Sequence, residues 1–345
     1  MGVYLNNAEI NSVFKRLNND FQVFAPVRIK AGGRFSNTDN IQYGEVKRVE
    51  DIVWDEKSHF SPKEIVSPIT QTLFHFNEDR LIASTVDPRK ILIFLRSCDM
   101  HGIKRLDDIF LHNGGNADFY YQRLREKVKF ALLECQESWD SCFCVTMGAN
   151  VSENYDVAFR FNKDGASVLA KDEGLMNAFS VEGLEDGFEP EFVRENTFSV
   201  DLPDSLSLSS QEVRDILIKH PLWDQYDHRC IECGRCTTSC PTCSCYSVND
   251  VTYNENARVG ERQRVWSSCI IPHFSDMAGG HSYRDRKGER LRYRLMHKMV
   301  DHKARFGETM CVGCGRCDDR CPQYISFAQM VQNTTEALKE ACCDE

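Results

Sequence analysis

CIECGRCTTSCPTCSC, running from Cys230 to Cys245, packs six cysteines into sixteen residues. Four of them, Cys230, Cys233, Cys236 and Cys240, read C-x-x-C-x-x-C-x-x-x-C and close on Pro241. The pattern returns at Cys311, Cys314, Cys317 and Cys321, closing on Pro322, and the tetrapeptide CGRC recurs inside each copy. No other internal repeat is evident.

This spacing is the bacterial ferredoxin run for a [4Fe–4S] cluster. Three thiolates must reach three iron corners of one small cube, so the chain wraps tightly around it. Gly234 and Gly315 admit the backbone conformations such a wrap requires. The fourth cysteine points away and, in two-cluster proteins, ligates the other cluster. The reading therefore assigns Cys230, Cys233, Cys236 and Cys321 to one cluster, and Cys311, Cys314, Cys317 and Cys240 to a second. A zinc site would present two C-x-x-C knuckles, not triplets followed by Cys-Pro. Cys243 and Cys245 do not fit either cube; a structural or supporting role is the reading for them.

The surrounding chain agrees with this chemistry. Seventeen cysteines are an odd number, and a reducing compartment keeps thiols from pairing as disulfides. No stretch approaches the ~18 apolar residues of a membrane span. The first residues lack the basic-then-apolar order of a signal peptide, and Asn6 stands where a myristoylation motif needs Ser or Thr. The expectation is a cytoplasmic protein with no membrane segment. A formal net charge of −10 argues against nucleic acid as a partner.

Two domains are expected, residues 1–205 and 206–345. The first reads as α/β. Ile10, Val13, Phe14 and Leu17 fall on one helical face. FQVFAPVRI reads as a strand interrupted by Pro26, and no element is read in residues 31–60. ILIFL (91–95) suits a strand buried on both faces. A helix over GIKRLDDIFLHN, a helical continuation through FYYQRLREK and a strand at VKFALLE complete a β–α–β pattern with parallel, adjacent strands. DVAFRFNKDGASVLA reads as a hairpin turning at Asn162–Gly165. Residues 197–210, rich in Ser, Asp and Pro, form a linker. A helix follows, capped by Ser209 or Ser210 with Glu212 in its first turn. The second domain is expected to be mostly α-helical and ferredoxin-like, with an insertion between its two motifs.

Cys98, Cys135, Cys142 and Cys144 form a looser group. Cys98 and Cys135 each follow a buried strand, so parallel pairing brings them out at the carboxyl edge of the sheet, where ligands bind. Cys142 and Cys144 need only fold back to complete four thiolates. A third cluster, a zinc site and unreactive buried thiols all stay open from these residues alone. Nucleotide-binding glycine motifs, a nucleophile elbow and H-E-x-x-H are absent, and no catalytic residue is assigned. Residues 258–305 carry twelve Lys/Arg against five Asp/Glu. Leu291, Leu295 and Met299 give that stretch an apolar helical face. Its charge suits an acidic partner, an offset for the clusters and their thiolates, or a solvated helix surface.

The segments HFSPKEIVSP, RSCDMHGIKRLDDIF, YYQRLRE and CFCVTMGANVSENYD, with the two cysteine motifs, resemble the iron–sulfur electron-transfer component of anaerobic sulfite reductase. They are also similar to the β subunit of cytoplasmic sulfhydrogenases. The resemblance spans about residues 55–330. It implies an electron-transfer subunit of an oxidoreductase complex, passing electrons from a flavin subunit that oxidises NADH to a sirohaem subunit that reduces sulfite to sulfide. In the hydrogenase relatives the same module serves another catalytic subunit. The resemblance also implies a third cluster on Cys98, Cys135, Cys142 and Cys144. RSCD, in place of the RPCD associated with the hydrogenase relatives, favours sulfite reductase.

Overall fold

The computed structural model describes residues 2–33, 37–180, 183–203, 208–253, 255 and 257–343. Two compact units result. The first comprises Met1–Ser67, Thr85–Trp139 and Gly148–Asn196; the second comprises Pro68–Ser84, Asp140–Met147 and Thr197–Glu345. The last change of unit falls between Asn196 and Thr197, and two earlier segments, Pro68–Ser84 and Asp140–Met147, also group with the C-terminal part. Residues 204–207 of the expected linker lie outside the described residues.

Twelve strands build the two main sheets: β1 (Gly2–Asn6), β2 (Phe21–Ile29), β3 (Asn40–Glu45), β4 (Thr70–Asn77), β5 (Arg80–Ala83), β6 (Lys90–Leu95), β7 (Val128–Leu133), β8 (Val157–Phe161), β9 (Gly165–Ala170), β10 (Leu184–Asp186), β11 (Tyr246–Thr252) and β12 (Val259–Trp266). The first unit holds an eight-stranded sheet in the order β10-β1-β9-β8-β7-β6-β2-β3. Strands β2, β6, β7 and β8 are parallel. The ILIFL run shows why its centre needs no polar side: Leu92 and Phe94 enter one apolar cluster, and Ile91, Ile93 and Leu95 enter another. Period-two alternation sends neighbours to opposite faces, and both faces are covered. The helix Asn7–Leu17 buries Ile10, Val13, Phe14 and Leu17 and starts with a capping box between Asn6 and Glu9.

Pro26 does not interrupt β2. It sits opposite Tyr43 in the antiparallel pairing with β3, while the parallel pairing with β6 ends at Phe24. A proline lacks an N–H, so it is tolerated where one flank of the strand asks for no donor. The helix expected after ILIFL begins earlier, at Ser97, and takes in Cys98. The continuation through FYYQRLREK is a separate helix, Phe119–Arg125, capped by Asp118. The hairpin is β8–β9, and Ser209 caps the helix Ser210–Leu217 in a box with Glu212.

The second unit is mixed, not mostly helical. A four-stranded antiparallel sheet, β11-β12-β4-β5, accompanies its helices. The insertion between the cysteine motifs supplies β11 and β12, and β4 lines up along β12 from Thr70–Val265 to Asn77–Val259. No helix among the described residues is long and apolar enough to cross a membrane.

Phe94 is fully buried and its ring lies 4.9 Å from Phe159 and 6.1 Å from Phe14, measured between centroids. Phe94→Ala should cost about 3–5 kcal/mol, read as a lower urea midpoint by near-ultraviolet circular dichroism. An unchanged midpoint would mean the sheet is not packed on both faces.

Candidate metal centre

The two cysteine loops share a backbone path. The second residue after the leading cysteine is left-handed in both, Glu232 at φ 59° and Gly313 at φ 64°. So is the fourth, Gly234 and Gly315, each at φ 69°. Each glycine starts a one-turn helix, Arg235–Thr238 and Arg316–Asp319. Left-handed residues spaced this way bend the chain round a centre and turn amide groups inward; the Glu232 N–H lies 3.4 Å from Cys230 Sγ. Glycine takes such a φ freely, whereas Glu232 is strained there. Its carboxylate pairs with the buried guanidinium of Arg290. Sequence reading missed Glu232, although its alignment with Gly313 in the repeat is a usable signal.

The thiols gather across the motifs. Cys230 is influenced by Cys233 and Cys321, and Cys236 by Cys230, Cys233 and Cys321. Cys311 and Cys317 are both influenced by Cys240 and Cys314. A cavity is lined by Cys230, Cys233, Cys236 and Cys321, with Ile231, Ile270, Leu291 and Ile325 as apolar walls. Arg294 and Cys317 also reach it. Arg229 ties the loops together by donating to the Tyr324 carbonyl at 3.1 Å.

Burial drives these thiols away from the charged form. It raises Cys230 and Cys236 to about 11 and Cys311 to about 12. Naked thiolates would be costly here, and a metal that replaces the protons removes that cost. Cys240 differs: a hydrogen bond from Cys243 holds it well below the ordinary thiol range, with Lys298 and Arg294 assisting against burial.

The basic stretch noted in the sequence supplies those cations. It forms the helix Lys287–Met296, a π-helical turn His297–Asp301 and the helix His302–Phe306. Arg290, Arg294, Lys298 and His302 recur every four residues, and all are at most 5% exposed. An α-helix advances about 40° beyond a full turn in four residues; the wider π turn winds less per residue and restores the row. Lys298 Nζ lies 3.4 Å from Cys240 Sγ and 2.6 Å from Thr242 Oγ1. Arg294 donates to the Cys236 carbonyl at 3.4 Å. Burial opposes both charges, yet the surrounding cysteines of both motifs keep Arg294 and Lys298 firmly protonated. The buried part of this helix thus sets two cations among the cysteines of both motifs, while Arg286 lies exposed and pairs with Asp224 and Asp227.

The residues fit a sulfur-rich anionic group. Arg294 Nε and Arg290 Nε are buried donors with no hydrogen-bond partner among the described residues. A cluster with inorganic sulfides supplies acceptors that the polypeptide does not. Among the described residues, no three His, Cys, Asp or Glu side chains converge closely enough to hold a single metal ion.

The looser cysteine group is divided. Cys98 lies in the first turn of the helix after β6, and Cys135 lies just beyond β7, whose register with β6 pairs Leu95 with Leu132. These two therefore leave the same edge of the sheet. Cys135 lines a cavity of about 460 Å³ with Trp54, Arg96, Glu134, Trp139 and Arg160. Cys142 and Cys144 belong to the second unit, where the Phe143 N–H donates to the Gly313 carbonyl at 2.8 Å and Cys142 Sγ lies 3.7 Å from the Cys314 carbonyl.

Residues 229–325 match the 4Fe-4S dicluster domain family. The chain carries [4Fe–4S] clusters, the class of centre to which its paired motifs point. Over nearly its whole length it is similar to sulfhydrogenase 2 subunit beta of Pyrococcus furiosus, with 29% identity across 353 aligned positions, covering 97% of this chain and 99% of the relative. No solved structure matches it.

The matched glycines give a graded test. A Cβ on Gly315 would lie 2.3 Å from the Ser141 carbonyl oxygen, whereas one on Gly234 would meet only side-chain atoms at 3.3 Å. Gly234→Ala should cost the left-handed penalty, roughly 1–2 kcal/mol. Gly315→Ala should cost clearly more, because backbone must also move. Thermal midpoints of the two anaerobic holoproteins measure the difference; equal losses would contradict the packing of residues 140–147 against the second motif.

Proposed function

We propose that this chain is the electron-transfer subunit of a multi-subunit oxidoreductase of the sulfhydrogenase type. Cys230, Cys233, Cys236 and Cys321 hold one [4Fe–4S] cluster, and Cys311, Cys314, Cys317 and Cys240 hold the other. The observation that carries the reading is the grouping of thiols across the two motifs around Arg294 and Lys298. Two such centres, bridged by one row of buried cations, form a relay that passes single electrons between catalytic partners. A third cluster on Cys98, Cys135, Cys142 and Cys144 is part of the proposal. In this reading the chain transfers electrons and holds no catalytic site for the substrate of the complex.

The similarity to a sulfhydrogenase β subunit favours that assembly over the sulfite reductase one. A flavin subunit feeding a sirohaem subunit is the second reading, and RSCD at residues 96–99 is the feature that favours it. Anaerobic purification of the native complex separates the two. Co-purifying nickel is expected; sirohaem absorption without nickel would select the sulfite reductase reading.

Crossed ligation makes a sharper prediction. Cys236→Ser should perturb one cluster and Cys240→Ser the other, although both residues lie in one motif. Electron paramagnetic resonance of the two reduced variants resolves this, and loss of the same signal in both would refute the assignment.

A further inference from the structure

Three cysteines remain outside every ligand set in the dicluster domain: Cys243, Cys245 and Cys269. The β11–β12 ladder brings them together. Tyr246 pairs with Trp266, and one step further the Ser267 N–H donates to the Cys245 carbonyl at 2.9 Å. Ser268 then folds the chain back, its Oγ accepting from the Ile270 N–H at 3.1 Å and bonding Thr237 Oγ1 of the first motif at 2.8 Å. Cys269 arrives against Cys245 and the two thiols hydrogen-bond, with Cys243 close by. Cys243 in turn hydrogen-bonds Cys240. A file of sulfur atoms therefore runs from the second ligand set to the open end of the β-hairpin. Cys269 is buried and Cys245 half-buried.

A disulfide needs its two cysteines on neighbouring backbone with Cα atoms roughly 4.4–6.8 Å apart, and the Cys245–Ser267 pairing followed by the turn at Ser268 brings Cys269 back beside Cys245. The neighbouring clusters each carry one electron at a time, whereas a disulfide takes two. We propose that Cys245 and Cys269 are a redox-active pair that exchanges electrons with the two clusters and stores them two at a time. In the reducing direction the Cys245–Cys269 S–S bond would break, taking up two electrons and two protons from solvent to give two thiols. In the oxidising direction two S–H bonds would break, the S–S bond would form, and two protons and two electrons would leave. The two clusters, when bound, would supply or accept those electrons, one each. Half-exposed Cys245 provides the route for protons, and Cys243 lies on the sulfur path to Cys240. This inference rests on the two-cluster reading.

The test uses anaerobically purified holoprotein, oxidised with ferricyanide or reduced with dithionite, then quenched in acid, alkylated and mapped by mass spectrometry. A disulfide-linked Cys245–Cys269 peptide pair is expected in the oxidised sample, and two alkylated cysteines in the reduced one, at equal iron and labile sulfide. Full alkylation of both residues in both samples, with iron unchanged, would overturn the proposal. So would an additional bound metal that Cys269→Ser alone removes. Cys269→Ser should also lower the electrons taken up in a reductive titration by about two per chain, with both cluster signals retained; an unchanged uptake would overturn it. Failure of the two-cluster reading would appear separately, as missing iron and sulfide in the unsubstituted protein.

Discussion

The second unit is organised by the burial of Arg294 and Lys298 among cysteines. A buried cation without a partner costs several kcal/mol, and so does a buried thiolate. Here each is the other's solvent. Lys298 stands against Cys240, and Arg294 lies in the field of Cys236 from the first motif and Cys317 from the second. Removing either sign leaves the other stranded, so the polypeptide and its clusters should assemble as one event. The same arrangement explains why the helix between the motifs must pass between the two loops and present its fourth residues inward. The π turn keeps that row aligned over three successive cations and His302.

Much of this was legible in advance because the constraints are local. The cysteine spacing states the geometry of a cube, and the repeat states that there are two. The run at residues 91–95 announces a strand with no solvent face, since both its odd and even positions are apolar. The helix Asn7–Leu17 and the cap at Ser209 follow from periodicity and hydrogen-bonding residues within one turn.

What was not legible depends on residues far apart in the chain. Strand β4 is largely half-exposed and β5 wholly exposed, so neither carries the apolar signature of a core strand. Their place is set by pairing with β12, nearly two hundred residues later, and such pairing leaves no mark in a short window. The role of the basic stretch was legible only as one of three readings, an acidic partner, an offset for the clusters or a solvated surface. The fourfold spacing of Arg290, Arg294 and Lys298 marks the cations that face the cysteines, whereas Arg264, also buried, pairs with Gln71 instead. The twin CGRC sequences show the same limit: Arg316 is buried and Arg235 exposed, although their neighbours in sequence are identical.

Replacing the buried ammonium tests the account most directly. Reduction adds negative charge to a cluster, and a nearby cation stabilises it, raising the potential. Lys298→Met keeps the length of the side chain and removes the charge. Potentiometric titration followed by electron paramagnetic resonance should show one cluster, the one proposed on Cys240, falling in midpoint potential by an amount on the order of tens of millivolts. The cluster proposed on Cys230, Cys233, Cys236 and Cys321 should move less. Two unshifted potentials at full iron content would contradict the claim that a buried cation row organises the pair of centres.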